Sequence, residues 1–175
     1  ELGIRNSIKE VPRFFRRIQY LVNGMVFTAD AIEHGILRSN NRLPHSIYKP
    51  FGKNDPRLRY IIEKTDPRIH FALVCASLSC PPIEVYTAQN LDEELEISGK
   101  TFLNSGGIQI DEVNQKVKLS RVFKWYAKDF GQTSAERLRF ISPYLYDEKS
   151  RQFLEKKAGR IRIDYQPYDW RLNRS

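Results

Sequence analysis

The chain has 175 residues and a net charge of +8; 41% of its residues are hydrophobic and 12% aromatic. That length suits one domain over residues 1–175 with a sizeable core, and the composition excludes intrinsic disorder. Two cysteines cannot frame a disulfide-rich fold, and no run approaches the ~18 apolar residues of a membrane span.

Residues 1–10 read as the end of a helix whose beginning lies upstream. Glu1 rather than Met opens the chain, and the only methionine is Met25, which points to a start inside a longer protein. Ile18 to Phe27 carries Asn23-Gly24 between apolar stretches, a β-hairpin signal because both residues tolerate positive φ. Thr28 suits an N-cap for a helix through about Ser39. Residues 40–68, with four prolines, predict a long irregular excursion. Ile69 to Cys75 is apolar apart from His70 and reads as a buried strand. Ala76 to Tyr86, with Pro81-Pro82, reads as a loop.

Asn90 and Glu93 predict a capping box for a helix to about Asn104, ended by Gly106-Gly107. A second hairpin is expected from Ile108–Ile110 and Val117–Leu119. Ser120 suits the cap of a short helix, and Thr133 with Glu136 forms another capping box. A helix around Lys149 to Lys157 precedes a last strand from Arg160 to Tyr165. Helices outnumber strands, so the class is α+β, with a small antiparallel sheet packed with helices.

Polar residues where a core would not place them mark the candidate site. On a helix from Ala29, steps of ~100° put Glu33 inside the apolar arc and His34 on its edge. A carboxylate there must find a partner, so Glu33 is expected to be largely buried and hydrogen-bonded. A structural pairing with an arginine or a backbone donor meets the same need. His70 and Cys75 stand about 17 Å apart if the strand runs at ~3.3 Å per residue, and on opposite faces. They form a dyad only if the chain bends; otherwise both are core residues. Cys75 and Cys80, separated by a turn, are expected to lie close enough to bridge. A C-x4-C pair can also chelate zinc with His34 and His70, but the spacing is no zinc signature. No metal or other cofactor is therefore expected. The basic cluster of Arg13, Arg16 and Arg17 around Phe14 and Phe15 offers charge and aromatic platforms. It reads better as a solvated face than as a nucleic-acid site, since no nucleic-acid motif accompanies it.

These segments carry a resemblance. Ala31-Ile32-Glu33-His34-Gly35-Ile36-Leu37-Arg38, Asp66-Pro67-Arg68-Ile69-His70-Phe71-Ala72-Leu73 followed by Cys75, and Ser79-Cys80-Pro81-Pro82 resemble segments of the domain of unknown function 547 family. Phe123-Lys124-Trp125-Tyr126, Asp129-Phe130-Gly131 and Tyr168-Asp169-Trp170 fit as well, over roughly residues 17 to 173. The family's aromatic, Asn-rich segment that usually precedes this region is absent. The resemblance implies an architecture like the papain and transglutaminase-like cysteine hydrolases, though fold does not fix function. It implies Cys75 as a thiol nucleophile, His70 or His34 as its base and Glu33 as orienter. It implies no cofactor.

Two functions compete. One is a cysteine hydrolase, acyl transferase or thiol-handling protein acting on a small thiol or peptide, with Cys75 rather than Cys80 carrying the activity. The other is a non-catalytic interaction module whose polar cluster is structural. Free thiols suit a reducing compartment, so a cytoplasmic location is the expectation.

Overall fold

Asn23 and Gly24 both take positive φ, 50° and 73°, the backbone that a two-residue hairpin turn needs. They join β1 (Gln19–Val22) to β2 (Met25–Thr28) in antiparallel register, Val22 opposite Met25. The computed structural model describes residues 6–44 and 46–173. The chain gathers into two compact units: residues up to Asp66 with Trp170 onward, and Pro67 to Asp169.

In the first unit, a 3-10 turn at Ile8–Glu10 precedes α1 (Phe14–Arg17) and the hairpin. The expected N-terminal helix end is thus a single tight turn, and residues 1–5 of that expectation lie outside the described residues. Thr28 caps the next helix, its Oγ1 accepting the Ala31 N–H at 3.1 Å. That helix, Ala31–Leu37, is wound as a π-helix, with Arg38 N–H bonded to Glu33 C=O and Asn40 N–H to Gly35 C=O. The wider winding changes the step on which Glu33's place in the apolar arc depended. Its side chain is nonetheless only 25% exposed, largely buried as expected. Gly35 lies against Phe51 so closely that a Cβ would overlap the ring. Phe27, Ala31 and Phe51 form the small core here. The excursion after residue 40 is irregular apart from a 3-10 helix at Pro56–Tyr60.

In the second unit, Ile69 to Cys75 is not a strand. It begins as α2 (Ile69–Ala72), one helical turn, and leaves it extended at Leu73. An unbroken apolar run has no period that separates a buried strand from a buried helix turn. The turn drives Phe71 fully into the core, among Phe102, Phe123, Phe130, Phe140 and Tyr144. α3 (Leu91–Phe102) starts without a side-chain cap from Asn90. Thr87 and Glu94 occupy the polar groups at that end instead: the Glu94 carboxylate accepts from Thr87 N and Oγ1, and Thr87 Oγ1 accepts from Asn90 N.

A π turn at Leu103–Gly107 leads to β3 (Ile108–Asp111) and β4 (Lys116–Leu119), the expected hairpin. Next come α4 (Val122–Trp125), α5 (Ala127–Phe130), α6 (Ser134–Ile141) and α7 (Glu148–Lys157). α6 carries the complete Thr133–Glu136 capping box. β5 (Arg162–Tyr165) closes the sheet in the order β3-β4-β5. It pairs parallel to β4, so the sheet is mixed rather than antiparallel. The helices between the two strands, α4 to α7, return the chain to the starting end, as a parallel pair requires. The class is α+β. No helix among the described residues is long and apolar enough to cross a membrane.

Candidate functional site: a two-thiol cluster

After α2 the chain runs extended to Cys75 and then turns sharply. Ala76 sits in the left-handed region at φ 58°, and Cys80 N–H bonds back to Ser77 C=O at 3.0 Å. A non-glycine residue there is uncommon; its effect is to fold Cys80 onto Cys75. The two Sγ atoms stand 2.8 Å apart, which meets the expected proximity. The Cys75 backbone N–H points at Cys80 Sγ from 3.0 Å.

Two hydroxyls complete the cluster. Buried Ser77 lies 3.2 Å from Cys75 Sγ and 2.9 Å from Tyr168 Oη. Tyr168 Oη lies 3.3 Å from each sulfur. Tyr168 is held by the Trp125 ring at 4.7 Å and by paired bonds between Ser79 and Asp169.

Each hydroxyl and each thiol has one proton to give. Ser77 reaches Tyr168 and Cys80, and Tyr168, the Cys75 thiol and the Cys75 N–H can all donate to Cys80. These donors favour the thiolate on Cys80. The hydrogen bond from Cys75 lowers its pKa to about 5, with Ser77, Tyr168 and the Cys75 N–H acting in the same sense against burial. Cys75 is pushed up by the negative sulfur beside it and by burial. Burial, reinforced by the two sulfurs, also raises Tyr168. The Cys75 backbone N–H, fixed on Cys80 Sγ, favours the charge of the pair on Cys80 and the proton on Cys75.

Cys80 also borders a cavity of about 210 Å³, shared with Ser79, Ser105, Ser120, Gln166 and Tyr168.

The histidines lie elsewhere. His70 Nε2 is 2.8 Å from Asp129 Oδ2, both side chains buried, with the imidazole stacked on Tyr126 at 3.9 Å. His34, in the other unit, has Arg38 Nη1 at 3.0 Å from Nδ1. A guanidinium only donates, so Nδ1 is the acceptor and the ring proton sits on Nε2. Glu33 Oε1 is 3.7 Å from that same nitrogen, beyond hydrogen-bond range. Among the described residues no imidazole hydrogen-bonds either sulfur. The structure thus brings Cys75 to Cys80, His70 to Asp129 and His34 to Arg38. Among the described residues no group of three or more His, Cys, Asp or Glu is placed to hold a metal.

Sequence reasoning passed over Ser77, Asp129 and Tyr168 as site residues. The last two stand inside motifs singled out above, but nothing local announces that they meet a cysteine or histidine 59 to 93 residues away. A family model described as a protein of unknown function, DUF547, matches residues 2–103. No curated protein and no solved structure matches the chain.

Proposed function

The chain belongs to the DUF547 family, a membership that brings no activity with it, and we propose from its own thiols that it performs thiol–disulfide exchange on small polar disulfides. Cys80 is the attacking thiolate and Cys75 the resolving thiol. The carrying observation is the 2.8 Å Sγ–Sγ pair whose backbone N–H favours charge on Cys80. The polar cavity beside Cys80 gives a disulfide its approach.

In the first step Cys80 attacks one sulfur of the substrate, forming a mixed disulfide and releasing the other half as a thiolate. The Cys75 proton passes to that thiolate. Cys75 then attacks Cys80 Sγ, closing the intramolecular disulfide and releasing the second thiolate. The substrate is reduced by two electrons and the dithiol oxidised by two; a thiol reductant restores the protein. Exchange needs a thiolate and no general base. This supports redox chemistry over acyl transfer with His70 or His34 as base and Glu33 as orienter, and it reverses the roles expected for the two cysteines.

The test is reaction with an aromatic disulfide reagent at pH 6. A thiol of pKa about 5 is then ~90% ionised, against ~0.3% for an ordinary thiol. Lower intrinsic nucleophilicity takes back roughly 40-fold, leaving about a tenfold rate advantage. Wild type should react that fast and end as an unlabelled disulfide. Cys75→Ser should stop at the mixed disulfide, and Cys80→Ser should react slowly.

Labelling of either thiol only on unfolding would overturn this reading in favour of the interaction module. One observation favours that alternative: Tyr20, Leu21, Val22 and Val26 of the β1–β2 hairpin are exposed, Leu21 to 75%.

A further inference from the structure

We propose that the cavity beneath Phe14 and Phe15 is a binding site for a small aromatic carboxylate, separate from the thiol chemistry. It measures about 290 Å³ and lies within the first unit. That is near the lower end of the range for small-molecule pockets, room for one fused ring system and its acid group.

The walls are aromatic and aliphatic. Phe14 and Phe15 meet edge-to-face with centroids 5.2 Å apart, and Ile8, Val11 and Trp170 complete the apolar surface. Trp170 is fixed there because its carbonyl accepts from Ser7 Oγ at 2.8 Å and its neighbours pair with residues 6 and 7. A ligand ring finds rings to stack on.

The rim is positive. Arg16 is neutralised by Asp30 at 3.1 Å. Lys9 lies 4.2 Å above the Trp170 ring, and neither Lys9 nor Arg13 has an ion pair among the described residues. Arg13 is held at φ 55°, ψ 34°, a left-handed conformation that is costly for a non-glycine residue and that turns the chain into α1. Two unneutralised cations beside an apolar cavity favour an anion with an apolar body. A polyphosphate chain would instead need a groove along which charges and rings alternate.

The experiment is calorimetric titration of the intact chain with 2-naphthoate at low salt. Saturable one-to-one binding is expected. The uncharged 2-naphthalenemethanol should bind about three- to fivefold more weakly, as should naphthoate to Arg13→Asn. Asparagine tolerates the left-handed backbone, so that variant removes charge without adding strain. Trp170→Leu should weaken binding about tenfold by removing the stacking surface. Equal affinity for naphthoate and the alcohol would overturn the carboxylate assignment. Absence of saturation, or displacement of naphthoate by a thymidine octanucleotide bound more tightly, would overturn the site.

Discussion

The two units hold themselves together by different means. From Pro67 to Asp169, one continuous core runs from Phe71 through Leu103, Val117, Phe123, Leu138 and Leu154, all essentially free of solvent. Around residues 19–60 the buried core is three side chains, Phe27, Ala31 and Phe51, and polar locks do much of the rest. Buried Asn40 bonds both the N–H and the C=O of Phe51, at 2.9 and 3.1 Å. Arg57 stacks over Phe51 at 4.5 Å while its guanidinium pairs with Asp55 at 2.6 Å. The difference teaches where each unit is vulnerable: the first to loss of single polar groups, the second to loss of volume.

The largest effect is expected in the second unit. Phe71→Ala leaves a cavity among five aromatic rings and should cost about 3–5 kcal/mol in denaturant unfolding. Next comes Asn40→Ala, which leaves two backbone groups of Phe51 buried without partners and places alanine at φ 56°. A loss of about 2–3 kcal/mol is expected, and hydrogen exchange should show it first at the amides of Phe51 and residue 40. An effect confined to the second unit would break the comparison.

Thr133→Ala removes half of the capping box of α6 and should lower unfolding stability by about 1 kcal/mol. Asp55→Asn, at a part-buried pair on the surface, should cost less than about 1 kcal/mol. Its use is in acid. The hydrogen bond from Arg57 holds the Asp55 carboxyl below its ordinary value of 3.8. Its stabilisation is therefore present above that value and lost as the pH falls through the lowered one. Unfolding of wild type followed between pH 5 and 2 should show this loss, and Asp55→Asn should flatten it.

Where a signal is local, the sequence alone determined the outcome. Asn23-Gly24 makes its turn because two adjacent residues accept positive φ. Thr133 and Glu136 make their box because one helical turn separates them. Both hairpins and the helix ending at Lys157 follow from patterns only a few residues long. At the site, the sequence alone determined that two thiols flank a turn.

Tertiary structure decided what depends on distant partners. Ile69–Ala72 is helical because a turn, not a strand, delivers Phe71 into the aromatic core and His70 onto Asp129 and Tyr126. β5 lies parallel to β4 because four helices carry the chain back before it pairs. Cys80 is the sulfur favoured for charge because Tyr168, 88 residues along the chain, and the backbone N–H of Cys75 converge on it. A hydrogen bond forms within ~3 Å regardless of sequence separation, so only the folded chain shows which residues meet.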